Sequence, residues 1–490
     1  MTGPIALTPV EQAPAAGDVA TSVARRVLPV LKREQRDLKL YEDYMRGRHA
    51  RPYKPQDATD EYRALEARSI SNVMPLVVGS IAQTLYLEGY RRGDQTDNAK
   101  AWHAWQANGL DARQAALYRA SLTYGVSYMV VLPGTTAPVM RPVSPRRMIA
   151  LYDDQASDEW PQWALEEVSE LDERSRRITR LRLYDDRLVH SLTLDDASPD
   201  GLRYESSLEH GLGVCPVVRY PCELDLDGRY TGVIEPLIPR QDRLNQQTFD
   251  TNIVQSYGSF VVRTVSGMTL PGAPGTSEGG DTGDVEAARA AKLRIGADRF
   301  LVAADHETKF GSLPGTPLDG YIAARDQAQR DIATAAQVPP HHLLGGNAAM
   351  SAEALAATES GLHRRSKAHR QTYGEAHEQA LRLAALADGD RAGWEDHEAQ
   401  GVWGDTEARS FAQTADALLK LHDGLEVDAE MLWPMIPGWT QLDVQRAKDL
   451  REQRRREDPL GELDREFARQ ETSPGGIPGN DPASRAVGAA

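Results

Sequence analysis

A 30-residue run from Thr231 to Phe260, TGVIEPLIPRQDRLNQQTFDTNIVQSYGSF, has the length of a long helix but too few apolar positions to bury a face of its own. Gln, Asn and Asp fill the rest. Such a helix needs neighbours on several sides, other copies of the same chain among them. Pro236 and Pro239 lie in its early part. A second long helix is predicted over Leu318–Val338 and a third, alanine-rich, over Ser351–Ala387. The break between them reads QVPPHHLLGGNAAMS. Pro339–Pro340 end a helix by removing backbone donors and restricting the preceding residue. Gly345–Gly346 let the chain reverse. Ser351 caps the next helix, with Glu353 and Ala354 in its first turn. The insert has three readings: a metal site on His341 and His342, a phosphate cradle, or a mobile loop between long helices.

The first two fail on chemistry. Adjacent residues in an extended or turn segment point apart, and no Cys, Asp or Glu stands near enough in sequence to complete a metal set. His377-Glu378 and His397-Glu398 begin HExxH, but positions 381 and 401 hold Leu and Gly, which removes the zinc-protease pattern. No glycine is followed by Lys and then Ser or Thr, so there is no phosphate loop. Ser121, Ser127 and Ser256 lie in no nucleophile elbow. The expectation is a protein that is not an enzyme and that uses no cofactor and no metal.

With 490 residues the chain is too long for one ordinary core, so several domains or one multi-part subunit are expected. The net charge of −16 disfavours tight phosphate binding, but suits a protein that DNA slides past. Cys215 and Cys222, six residues between them, match no common zinc spacing, and one pair cannot staple such a chain. No segment has the roughly 20 apolar residues that span a bilayer. The first 20 residues lack a basic and an apolar region and read as a flexible arm rather than a signal peptide.

Residues 21–50 are predicted helical. Asn72 caps an amphipathic helix carrying Met74, Val77, Val78, Ile81 and Leu85. LDARQAALYRASLTYG is a helix stopped by Gly125, and VSYMVVLP a buried strand directly after it. From 137 to 222 the period falls to two, as in RRITRLRLY, RLVHSLTL and CPVVRYP, which predicts an antiparallel α+β region. TLPGAPGTSEGGDTGD, 269–284, is a long exposed loop. Residues 388–432 hold twelve Asp/Glu against three Lys/Arg, a net of −9 (3 − 12) that signals interaction or repulsion. RSFAQTADALLKL and TQLDVQRAKDLREQRRRED are further helices, and the last residues are a disordered tail. HRRSKAHR, 363–370, is a basic patch on an otherwise acidic helix, with Arg364, Arg365, Lys367 and Arg370 spread around it. It either pairs with acidic neighbours or touches phosphate.

The order of these pieces resembles phage portal proteins of the Gp6-like type. IEPLIPRQDRLNQQTFDTNIVQSYGSFVVRTVSG is similar to that family's first stem helix and exit strand. KFGSLPGTPLDGYIAARDQAQRDIATAAQVPPHHLLGGNAAMSAEALAATESGLHRRSKAHRQTYGEAHEQALRLAAL is similar to the second stem helix, tunnel loop and long inner helix. VWGDTEARSFAQTADALLKL resembles the segment that follows. NVMPLVVGSIAQTLYLEGY and NGLDARQAALYRASLTYGVSYMVV resemble wing elements.

The resemblance implies an α+β portal fold in a ring-forming subunit, with an α/β wing, helical stem, small α/β clip, tunnel-lining helix and helical crown. It places a flexible arm at 1–20, the wing at 21–230, the first stem helix at 231–258 and the clip at 259–316. The second stem helix follows at 317–338, the tunnel loop at 339–350 and the inner helix at 351–387. A wing return segment at 388–410, a helical crown at 411–470 and a tail at 471–490 complete the chain. Asn347, Ala348, Ala349, Met350 and Ser351 would line the narrowest ring around DNA. Ala348–Met350 before the SAEAL helix start, and the charge of HRRSK, depart from the family's usual pattern. Arg364, Arg365, Lys367 and Arg370 are candidate contacts to DNA or a neighbouring subunit. Gly272, Gly275, Glu278, Asp281 and Asp284 fall in the clip. The implied partners are further copies in a dodecameric ring, double-stranded DNA read without sequence specificity, the terminase large subunit, a head-completion adaptor, and the major capsid and scaffolding proteins. No membrane is involved. The implied location is one capsid vertex of the virion, after assembly in the host cytoplasm. The competing reading is a capsid scaffold or adaptor with no channel.

Overall fold

The computed structural model describes residues 8–9, 14–54, 60–93, 96, 98–171, 177–194, 201–258, 263–266, 309–312, 317–345, 352–404, 411–425, 427–436, 439 and 441–457. The chain divides into two compact units, one of Met1–Glu42, Leu76–Glu235 and Met350–Ala490, the other of Asp43–Pro75 and Pro236–Ala349.

In chain order the first unit opens with strand β1 (Thr8–Pro9), and helix α1 (Pro14–Met45) then runs from it into the second. Helices α2 (Asp60–Arg68) and α3 (Met74–Ala82) follow, then β2 (Leu87–Arg91), α4 (Ala99–Ala107), α5 (Leu110–Tyr124), β3 (Val126–Leu132), β4 (Val139–Val143) and β5 (Met148–Leu151). Strands β6 (Trp163–Leu171), β7 (Arg177–Tyr184), β8 (Leu188–Leu194) and β9 (Leu202–Glu209) form a meander, and β10 (Val217–Pro221), β11 (Glu223–Leu224) and β12 (Tyr230–Thr231) close the region. The first unit therefore carries an antiparallel six-stranded sheet ordered β1-β9-β8-β7-β6-β5 and a three-stranded sheet ordered β10-β3-β4.

The period-two reading of this region holds. Leu181 and Leu183 of β7 are fully buried beside Leu165 and Leu192 and under Ala20, Ala24 and Leu31 of α1. Arg180 and Arg182, on the other face, reach Glu170 at 3.1 Å each. Strand β3 is buried on both faces, and its one small polar residue, Ser127, donates to the Leu117 carbonyl at 3.0 Å. Gly125 ends α5 in the left-handed region (φ 91°), its N–H donating to the Ser121 carbonyl. Asn72 accepts from the Met74 amide at 3.1 Å, the predicted cap, but α3 stops at Ala82 rather than Leu85.

The predicted arm at 1–20 is corrected at two points. Thr8 and Pro9 pair with Glu209 and Leu208, and α1 begins at Pro14 with Ala20 fully buried. Ala20 and Ala24 are small enough to let the helix lie close on the sheet.

Helix α6 (Ile238–Gly258) starts seven residues later than predicted, because β12 and a 3₁₀ turn at Glu235–Leu237 occupy the start and Pro239 sits in the helix's first turn. Strands β13 (Arg263–Ser266) and β14 (Lys309–Ser312) pair antiparallel, and helix α7 (Asp319–Ala336) packs on α6. Leu244 and Phe249 of α6 and Ile332, Ala333 and Ala336 of α7 form the buried seam. Residues 43–75, placed in the wing by the sequence reading, group with these helices instead.

The reason lies in the polar face of α6. Gln241 is fully buried; its Nε2 donates to the Ser71 carbonyl at 2.8 Å and to Asn245 Oδ1 at 2.9 Å, and its Oε1 accepts from the Val73 amide at 3.3 Å. Asn245 Oδ1 accepts from the Ser71 amide at 3.1 Å, and its Nδ2 donates to His49 Nδ1 at 2.9 Å. That leaves His49 Nε2–H to donate to the Tyr44 carbonyl at 2.9 Å. The Tyr44 hydroxyl donates to Asp242 at 2.6 Å. Buried amides with every partner filled are stable inside a protein. Part of the company that this helix needs comes from its own chain.

After α8 (Pro340–Leu344) the described chain resumes with α9 (Ala352–Ala387), α10 (Arg391–Glu395) and β15 (Gln400–Trp403), which pairs with β2. Helices α11 (Phe411–Leu425), α12 (Ala429–Leu432) and α13 (Gln441–Glu457) end it. Among the described residues no helix is long and apolar enough to cross a membrane.

Candidate functional site

The helix break is built from Gln337. It sits at φ 54°, the one positive-φ non-glycine position among the described residues, and its N–H donates to the Ala333 and Thr334 carbonyls. This left-handed cap ends α7. Pro339 is extended and Pro340 opens α8, where a missing N–H costs nothing. The sequence reading put His341 and His342 in an extended or turn segment. They are instead helical, with rings packed edge to face at 4.5 Å, since proline at the first helical position starts a turn as readily as it ends one. Gly345, at φ 63° and ψ 145°, ends α8 in a conformation that side chains rarely adopt, its N–H donating to the His341 carbonyl. Asn347, Ala348, Ala349, Met350 and Ser351 lie outside the described residues, as do Gly272, Gly275, Glu278, Asp281 and Asp284 of the clip.

Helix α9 is two helices in character. Its first turns are rich in Ala, with Ala354, Ala357, Thr358 and Ser360 exposed, and from Ser366 onward every turn buries residues, Tyr373, His377, Ala380, Leu381 and Ala384 among them. The basic patch straddles this change and splits. Arg370 donates twice to the Thr84 carbonyl, at 3.1 and 2.6 Å, with its guanidinium 6.0 Å from the Trp403 ring. Arg365 lies 3.4 Å from Glu223 with only 13% of its side chain exposed. Both are spoken for by the fold. Arg364 and Lys367 are exposed and form no ion pair among the described residues. They are the members of the patch that remain able to meet a partner.

Beneath the patch sits an aromatic cage that the sequence reading missed. His377 is fully buried, its Nε2 2.7 Å from the Tyr118 hydroxyl and its Nδ1 3.1 Å from that of Tyr220. The Trp105 ring meets it at 5.1 Å, and Tyr373 stacks on Tyr118 at 5.2 Å. Burial holds the His377 ring neutral, its pKa pushed down to about 3. His369, about two turns nearer the helix start, is brought down to about 4 by burial and by the Arg365 charge. Burial pushes the Cys222 thiol up to about 12, so it is inert. The cage ties α4, α5, β10 and α9 together; it has the marks of a structural hub. In sequence the visible signal was an isolated His-Glu pair, because Trp105, Tyr118 and Tyr220 lie more than 150 residues away and only Tyr373 is near.

The acidic segment 388–432 is partly structural too. Asp390 caps α10 through the Gly393 amide at 3.2 Å, Asp396 accepts from the Gly93 amide at 3.4 Å, and Asp428 caps α12 through the Glu430 amide at 3.1 Å. Asp388, Glu398 and Asp423 are exposed and form no ion pair among the described residues.

The profile of the family described as Phage portal protein, SPP1 Gp6-like, matches residues 25–460. The chain is 26% identical to the portal protein of Mycobacterium phage L5 over 367 residues and 27% identical to that of Mycobacterium phage D29 over 362, in each case 71% of both chains. Among solved structures it is similar to a chain of the virion of a native gene transfer agent particle, at 13% identity and a TM-score of 0.45, covering 79% of this chain and 95% of that one. A chain of that particle's neck, computed with C12 symmetry, gives 12% identity and a TM-score of 0.43, covering 81% and 98%.

Proposed function

The chain belongs to the SPP1 Gp6-like family of phage portal proteins, and from that membership we propose that copies of it close into a ring at one capsid vertex of a tailed phage, through which double-stranded DNA is packaged and ejected. The observation that carries the reading is the family match over 25–460, which takes in the three long helices, the break between them and the acidic return segment. In this reading α6 and α7 are stem helices, 259–316 the clip, 339–350 the tunnel loop, α9 the inner helix and 411–470 the crown. The exposed, alanine-rich start of α9 and the small uncharged residues before it suit a wall that moving DNA brushes without gripping. Arg364 and Lys367 would meet phosphate or the neighbouring subunit. The clip would meet the terminase large subunit during packaging and a head-completion adaptor afterwards, and the wing the major capsid and scaffolding proteins. The ring would be dodecameric, formed in the host cytoplasm and kept in the virion.

Native mass spectrometry and class averages of the purified full-length chain test this. Cyclic assemblies with a central hole are expected. A stable monomer at micromolar concentration, with scaffolding protein supplied, overturns the reading.

A further inference from the structure

Six of the fifteen large apolar side chains exposed among the described residues fall between Phe411 and Glu457, a small part of the chain. Exposure concentrated in this way marks a contact surface. In helix α11 His422 Nδ1 lies 2.8 Å from the Val427 carbonyl, Leu418 and Leu421 are half-buried, and Leu419 is 60% exposed. A helix of 15 residues is marginal in water unless its apolar face is covered.

The charges on this surface are sorted. Residues 411–432 hold five acids and one lysine, a net of −4 (1 − 5), whereas α13 holds six bases and four acids, a net of +2 (6 − 4). On α11, Asp416, Leu419 and Asp423 share one exposed face at i, i+3 and i+7. On α13, Arg446, Leu450 and Arg454 share one exposed ridge at i, i+4 and i+8. One stripe reads acid, leucine, acid and the other cation, leucine, cation. At a helical rise of about 1.5 Å per residue the stripes are about 10 and 12 Å long. Asp416 is engaged by Lys420 at 2.7 Å; Asp423, Arg446 and Arg454 form no ion pair among the described residues. Within one chain the stripes do not meet, since Leu419 and Leu450 both remain exposed. Arg451, on another side of α13, shows the same attraction already used inside the chain: it reaches Asp428 at 3.4 Å and Glu430 at 3.0 Å beside the Trp433 ring.

We infer that the Arg446–Leu450–Arg454 stripe of α13 docks on the Asp416–Leu419–Asp423 stripe of a second copy of this chain. The inference rests on the ring proposed above and names one of its seams. The cationic stripe repels its own image, so a two-fold contact between identical stripes is unfavourable. Made once per pair of subunits, a contact between these unlike stripes is head-to-tail, the kind that closes into rings; made twice it would close a two-fold dimer, which a cross-linked ladder beyond the dimer rules out. The leucines supply affinity by leaving water, and the charges set partner and register.

Leu419 and Leu450 are central in their stripes, so an L419C/L450C chain tests the seam whichever way the helices run. Cys215 and Cys222 are buried and give no background. Oxidation is expected to give a ladder of covalent multimers on a non-reducing gel. R446E/R454E and D416R/D423R are each expected to raise the concentration needed for rings by about tenfold or more, and the four changes together to restore it. If wild-type protein forms rings while the cysteine pair gives no ladder, or closes within one chain, the seam is overturned and the ring stands. Rings from both charge variants at wild-type concentration overturn it equally, as does R446E/R454E losing only nucleic-acid retention. A monomeric wild type overturns ring and seam together.

Discussion

Two histidines on α9 set an acid limit for the fold. In the folded chain His377 titrates at about 3 and His369 at about 4, against an ordinary 6.5. The unfolded chain therefore takes up protons first as pH falls below about 6.5. The stability is fully present above that pH and is lost progressively below it, down through the folded values. Each such histidine steepens the loss by up to about 1.4 kcal/mol per pH unit. Thermal melts between pH 6.5 and 5, above most carboxylate titration, should show a falling midpoint that H369Q/H377Q flattens; an unchanged slope would remove the cage from the account. The basic patch gives a second residue-scale test. R370A should cost about 1–3 kcal/mol by stranding the Thr84 carbonyl, whereas R364A and K367A should stay within about 0.5 kcal/mol. Denaturant melts check all three, and equal costs would mean that the split between anchored and free cations is wrong. HRRSKAHR announced its charge in the sequence, but which cation is anchored depends on Thr84 and Glu223, more than a hundred residues distant, and no local pattern carries that information.

At the scale of elements, type was more legible than boundary. The alternation in β7 and β8, the Asn72 cap and the Gly125 stop were readable because each follows from local chemistry: pleat, side-chain acceptor, left-handed backbone. The start of α6 was not, because Pro236 and Pro239 are tolerated in a helix's first turn and equally end what precedes it. The polarity of α6 was visible, yet Gln241 and Asn245 turn out to bond Ser71, Val73 and His49 of the same chain. A polar helix face is thus a demand for partners, and the sequence alone does not say which chain meets it. The tight end of α7 offers a prediction at this scale. Gln337 holds a left-handed conformation that costs a side chain roughly 1 kcal/mol. Q337G should relieve that cost, offset in part by the unfolded freedom of glycine, for a net gain of about 0.5 kcal/mol. A loss of stability would show that the exposed Gln337 side chain makes a contact worth more than the strain.

For the whole molecule, the family reading separates what assembles the ring from what touches DNA, and Met350 tests that separation. Asn347–Met350 are small or flexible and uncharged, and stand between a Pro-Pro break and the start of a 36-residue helix. Met is apolar and adaptable, so it can slide over sugar and base edges without fixing a register. An arginine there, repeated around a ring, would grip phosphate with a salt-dependent affinity that grows with each contact. M350R should therefore leave the ring intact by gel filtration, at a stability cost within about 0.5 kcal/mol, while DNA packaging fails. M350L keeps size and polarity and should package normally. Packaging by M350R at the wild-type level would mean that this loop does not contact DNA. Loss of the ring would instead place Met350 in a subunit interface, and move the channel wall elsewhere on α9.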